Sequence, residues 1–135
     1  MWPAIVPIAI IATGAIAMAK LAKTKKSHTP LTSLAGSEWG PASGGEQFIA
    51  FKSGGELVGF GGCNNVFGNY AQDGTSLTIG PLAMTKKLCP DAMAAERAFI
   101  SALERAQSFD ATHVKLSIRD EDQKIILSLN RRDWD

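Results

Sequence analysis

Apolar and polar positions change rhythm along this chain. Residues 1–19 carry no charged side chain, and Lys20, Lys23, Lys25 and Lys26 follow them. A helix on a protein core would show a polar face, and this run shows none. It predicts a signal peptide or a membrane anchor. Residues 20–36 mix Lys, Thr, Ser, Pro and Gly with isolated leucines, and they read as a solvated linker. His28 lies there and is read as exposed.

Beyond the linker the pattern shortens to a period of two. Segments 47–52 and 56–60 flank Ser53-Gly54-Gly55, a hairpin signal. Segments 66–70 and 75–79 flank Ala71-Gln72-Asp73-Gly74, whose Asp-Gly pair suits left-handed turn positions. In 113–119, Val114, Leu116 and Ile118 alternate with His113, Lys115, Ser117 and Arg119. After Asp120-Glu121-Asp122-Gln123 the alternation resumes, with Ile125, Leu127 and Leu129 inward and Lys124, Ser128 and Asn130 outward.

A helix is predicted over 91–107. Pro90 suits its start, because a first-turn proline loses no hydrogen bond. Asp91 complements the helix dipole. Ala92, Ala95, Phe99, Ala102, Leu103 and Ala106 form an apolar stripe, with Glu96, Arg97, Glu104 and Arg105 on the other face. Six or seven short strands must hide their edges. The predicted class is therefore a β-rich α+β fold: a small antiparallel barrel or half-barrel with one packed helix, after an N-terminal hydrophobic helix.

Two stretches stand apart. Gly61-Gly62-Cys63-Asn64-Asn65-Val66-Phe67-Gly68-Asn69-Tyr70 places residues that tolerate positive φ around a cysteine. Thr85-Lys86-Lys87-Leu88-Cys89-Pro90 carries the second cysteine. Trp39 precedes them, with Phe48, Phe51, Leu57, Val58 and Phe60. Leu77 and Ile79 stand between them, and Glu96, Phe99 and Leu103 follow. Together these positions resemble the META domain family, the HslJ-like heat-shock proteins, over roughly residues 34–132. The resemblance implies a small β-rich roll over 37–135, associated with the envelope and with stress, and with no established chemistry. Many relatives carry a lipid-attachment cysteine at the end of the signal. No cysteine precedes Cys63 here, so lipid attachment is not expected.

The resemblance favours export to the periplasm or cell envelope, and Ala17-Met18-Ala19 looks like a small-x-small cleavage site. The alternative is an anchored domain in the cytoplasm, because the lysines come after the apolar run. In an exported domain, Cys63 and Cys89 are most simply a disulfide. Closing a loop of about 26 residues would contribute about 3 kcal/mol by chain entropy. Two buried, unpaired thiols are the competing reading.

Candidate chemistry is sparse. A Cys63 nucleophile would need His113 as base and the Gly61 and Gly62 amides as an oxyanion hole. His113 alternates with core residues and so faces solvent, and no enzyme is expected. His28 and His113 share no metal-ligand spacing with the cysteines, so neither metal nor cofactor is expected. Lys plus Arg is 14 against 13 Asp plus Glu, which gives no electrostatic case for nucleic acid. The polar set Asn64, Asn65, Asn69, Tyr70 and Thr85 reads as a hydrogen-bonded corner, or else as the mouth of a barrel that takes a small ligand or a partner. Lys86 and Lys87, or Arg131 and Arg132, read as a solvated basic face that could meet a membrane or envelope component. Trp134 is either a packing aromatic or a contact residue.

Overall fold

The computed structural model describes residues 30–132. The apolar run 1–19, residues 20–29 with His28, and Trp134 lie outside the described residues. Among the described residues, nine strands and one helix occur in the order β1 (Ser37–Pro41), β2 (Phe48–Phe51), β3 (Glu56–Phe60), β4 (Asn65–Asp73), β5 (Ser76–Ile79), β6 (Ala83–Met84), α1 (Met93–Glu104), β7 (Ser108–Ala111), β8 (Lys115–Arg119) and β9 (Ile125–Arg131).

All strand pairs are antiparallel. The order runs β3-β2-β1-β9-β8-β7-β5-β4, and β4 pairs back onto β3. The sheet is thus ring-like, so these strands leave few free edges. β4 makes this possible by its length. Its first half pairs with β3 on one edge and the two-residue β6 on the other, and its second half pairs with β5. The thinnest seam lies between β5 and β7, where Ser76 and Ser108 form the one register pair.

The interior holds Trp39, Ile49, Phe51, Leu57, Leu77, Leu116 and Ile118, all essentially inaccessible. Phe99, Ile100 and Leu103 of α1 join this core. The three predicted hairpins are present as β2–β3, β4–β5 and β8–β9. Three further strands, β1, β6 and β7, are additions.

Residues 30–36, read above as the end of the linker, lie against the ring. Leu34 is fully buried, and its N–H donates to Gln72 Oε1 at 2.9 Å. Leu31 N–H donates to Ala111 O at 2.8 Å. Leu34 buries its side chain from a segment whose polar composition hides that role.

Ile125 departs from the predicted alternation and is 48% exposed. Leu127 pairs with Ile118, yet Ile125 pairs with Arg119, leaving Ile126 as the extra residue of a bulge. A bulge reverses the side-chain sense between the residues flanking it, so Ile125 turns outward with Arg119.

Candidate functional site

The turn 61–64 is built around a carboxylate. Gly62 has φ +115°. After it the Cys63 and Asn64 amides converge on Glu96 Oε2, at 3.0 and 2.6 Å. Consecutive backbone N–H groups make an anion-binding concavity, and the chain fills it with its own side chain. Asn64 Nδ2 donates to Glu96 Oε1 at 2.9 Å. Gly61 is required by proximity, because a Cβ there would lie 2.6 Å from Glu96 Cγ.

Glu96 is 1% exposed. Burial alone pushes its carboxyl pKa up. The Asn64 side chain, the Asn64 amide and the Cys63 amide outweigh that, and hold it below the usual value. This corrects the placement of Glu96 on the solvent face. It stands three residues before Phe99, four before Ile100 and seven before Leu103, which is the buried stripe itself. Ala95 is exposed, so the helix is rotated toward Glu96 relative to the predicted stripe.

The side chain of Asn64 is a two-sided clamp. Its Oδ1 accepts from Thr85 Oγ1 at 2.8 Å and from Lys87 N at 2.6 Å. Its Nδ2 also donates to Lys87 O at 3.1 Å. Asn65 N donates to Thr85 Oγ1, and Thr85 N to Asn65 O. Cys63 and Cys89 form a disulfide with Cα atoms 5.9 Å apart. The Ala92 and Met93 amides donate to Cys89 O, at 2.8 and 3.1 Å. These bonds start α1, whose N-cap residue Ala92 supplies no side-chain bond. Pro90 sits in the turn before it. Gln47 Nε2 donates to Gly61 O at 2.8 Å and to Ala95 O at 3.3 Å, tying turn to helix once more.

The predicted polar set therefore divides. Asn64, Asn65 and Thr85 meet at this node. Tyr70 does not: its hydroxyl donates to Lys52 O at 2.7 Å, and its ring stands edge-on to Phe51 at 4.9 Å. Asn69 is exposed on β4. Gly68 lies beneath Leu82, whose Cδ2 a Cβ would meet at 2.6 Å. Trp39 is a core residue whose Nε1 donates to Ser37 Oγ at 2.7 Å. Arg131 lies over the Trp39 ring at 5.4 Å. Arg132 lies over Phe48 at 4.7 Å and pairs with Glu38 at 3.5 Å. The two arginines are thus engaged, whereas Lys86 and Lys87 are exposed.

The nucleophile geometry considered from sequence is occupied. The Cys63 sulfur is bonded to Cys89, and the amides that would hold an oxyanion hold Glu96. His113 is exposed in the bend before β8. Two open clefts of about 420 and 450 Å³ lie at the β5–β7 seam, beside Thr75 and Phe109. Asn64, Asn65 and Tyr70 line neither.

A ring-like antiparallel sheet, with one helix latched to a glycine turn by a disulfide and a buried carboxylate, defines a small cross-linked β-rich domain. The META domain family model matches residues 22–133, and the chain belongs to that family. A protein from Burkholderia xenovorans solved by NMR is similar in fold, at TM-score 0.59 and 19% identity, over 84% of this chain and 97% of that one. A DUF4847 family protein from Bacteroides vulgatus is similar at TM-score 0.53 and 22% identity, over 67% of this chain. The match spans 62% of the length of the Bacteroides protein. The search of curated proteins gives no match.

Proposed function

We propose that this chain is a non-enzymatic, envelope-associated META domain that serves under stress. The observation that carries the reading is the Cys63–Cys89 bond, joined to a node whose buried polar groups are already paired with one another. A disulfide persists in an oxidising compartment, so it favours a location outside the cytoplasm. A sulfur already cross-linked and an amide pair already holding a carboxylate leave the turn a structural role. The ring is read as a small barrel filled by its own side chains and by α1. A barrel that binds ligand through the Asn-rich corner would need open space there, and Asn64 is 2% exposed.

A deletion strain of the source cell tests the reading. It should lose survival after heat or envelope stress. The chain directed to the envelope should restore survival, and the same chain kept in the cytoplasm should not. Equal survival with and without the gene would sink the stress role, and rescue from the cytoplasm would sink the envelope role.

A further inference from the structure

The segment 81–90 crosses from β5 to α1 as an exposed strap, and it is held at fixed points. Ala83 and Met84 pair with Phe67 and Val66. Thr85 is bonded to Asn65, and both backbone groups of Lys87 are bonded to the Asn64 side chain. Cys89 is covalently tied to Cys63. Between these anchors the strap presents Lys86, Lys87 and Leu88 to solvent. Leu88 is 80% exposed, the most of any large hydrophobic residue among the described ones. Phe67, on the strand that holds the strap, is 45% exposed and Met84 38%. Among the described residues the ion pairs are Arg119 with Asp110 and Arg132 with Glu38, and neither strap lysine joins one.

Stability does not call for this display. An aliphatic side chain held in water gains nothing from its pins, whereas a rigid presentation reduces the ordering cost of binding. We propose that Lys86, Lys87 and Leu88 form a docking surface for an anionic phospholipid bilayer. The two ammonium groups meet phosphate, and Leu88 enters the boundary beneath the head groups. The sequence favours lipid over a protein partner. Residues 1–19 are uncharged and apolar, and Lys20, Lys23, Lys25 and Lys26 add four cations that suit the same surface. Residues 20–29 span at most about 33–36 Å when extended, roughly the width of a domain this size, so the strap is within reach of a bilayer that holds the first segment. Two cations and one leucine bind weakly alone, so the surface orients a domain already at the membrane. This deepens the envelope reading and rests on it, with residues 1–19 kept as an anchor on the exported chain rather than cleaved. The vesicle test below does not depend on where a cell places the domain, so failure here is distinct from failure of export.

The test uses the full chain incorporated into vesicles of phosphatidylcholine alone, or with phosphatidylglycerol at roughly 7:3. Hydrogen exchange over residues 85–89 is followed by mass spectrometry, with β8–β9 as internal reference. Exchange should slow about tenfold with phosphatidylglycerol, and recover at about 0.5 M salt. Lys86→Glu with Lys87→Glu should abolish the slowing, and Leu88→Ser should reduce it, while melting stays that of the parent. Equal exchange in both lipids overturns the proposal. Slowing that survives in the double glutamate variant also overturns it.

Discussion

Asn64 and Glu96 are bound to one another at two points. The Asn64 amide meets Oε2 at 2.6 Å and its side-chain nitrogen meets Oε1 at 2.9 Å. The far side of the same Asn64 side chain holds the strap, so one residue links helix, turn and strap. Asn64→Ala removes both sides of the clamp and leaves the Lys87 amide and one Glu96 oxygen without these partners. Stability should fall by about 2–4 kcal/mol, read by urea unfolding. A loss below about 0.5 kcal/mol would mean that the clamp adds nothing.

Glu96 ties stability to pH. Its folded pKa lies below the ordinary 4.5. Its contribution is therefore complete above the ordinary value, and is lost as pH falls through the lower folded one. The wild type should weaken with acid below about pH 4.5. Glu96→Gln should be less stable at pH 7 by about 2–3 kcal/mol, and should flatten this acid limb. Unfolding free energies measured across that range give the slope directly. An unchanged slope would show that the carboxylate is not held ionised by the turn.

Gly61 leaves room for that carboxylate. Gly61→Ala would set a methyl 2.6 Å from Glu96 Cγ and 2.8 Å from its Oε2. It should cost about 1–3 kcal/mol. Gly54→Ala, whose methyl would meet nothing within 4 Å, is the matched control and should be near neutral in melting. Equal melting of the two variants would remove the close-approach argument.

The bulge in β9 predicts a contrast between two side chains of one strand. Ile125 is 48% exposed and Leu129 1%. Ile125→Ser should change stability by no more than about 0.5 kcal/mol, while Leu129→Ala should cost about 2–5 kcal/mol. Phe99→Ala on α1 belongs with the second, at about 3–5 kcal/mol. A large loss at Ile125 would place the bulge elsewhere.

Much of this fold is legible in the sequence because its hairpins are local. Gly54-Gly55, Asp73-Gly74 and Asp120-Glu121-Asp122-Gln123 each sit between alternating segments, and each pair of flanking strands forms. β1 reads Ser-Glu-Trp-Gly-Pro, and two of its five residues are poor strand formers. It is a strand because β2, the next strand, and β9, far along the chain, both pair with it. β7 is four residues long and follows a helix pattern that runs on to Gln107 in the sequence but ends at Glu104 in the fold. The cysteine pair, Asn64, Asn65 and Thr85 stand out by residue type. Glu96 does not, because a carboxylate beside Arg97 reads as part of the charged face unless its donors are known. Those donors are backbone amides 32 and 33 residues away. Tyr70 belongs with the corner by its neighbours in sequence, yet its hydroxyl turns back to Lys52.

The central claim is that Cys63 and Cys89 are joined in the living cell and that their bond secures strap and helix to the turn. The direct measurement is intact mass of the chain isolated from its own cell, with free thiols alkylated before and after reduction. The account predicts no adduct without reduction and two after it. Cys63→Ser should then lower stability by about 3 kcal/mol. Two adducts on the unreduced chain would contradict the claim, and with it the placement of this domain in an oxidising compartment.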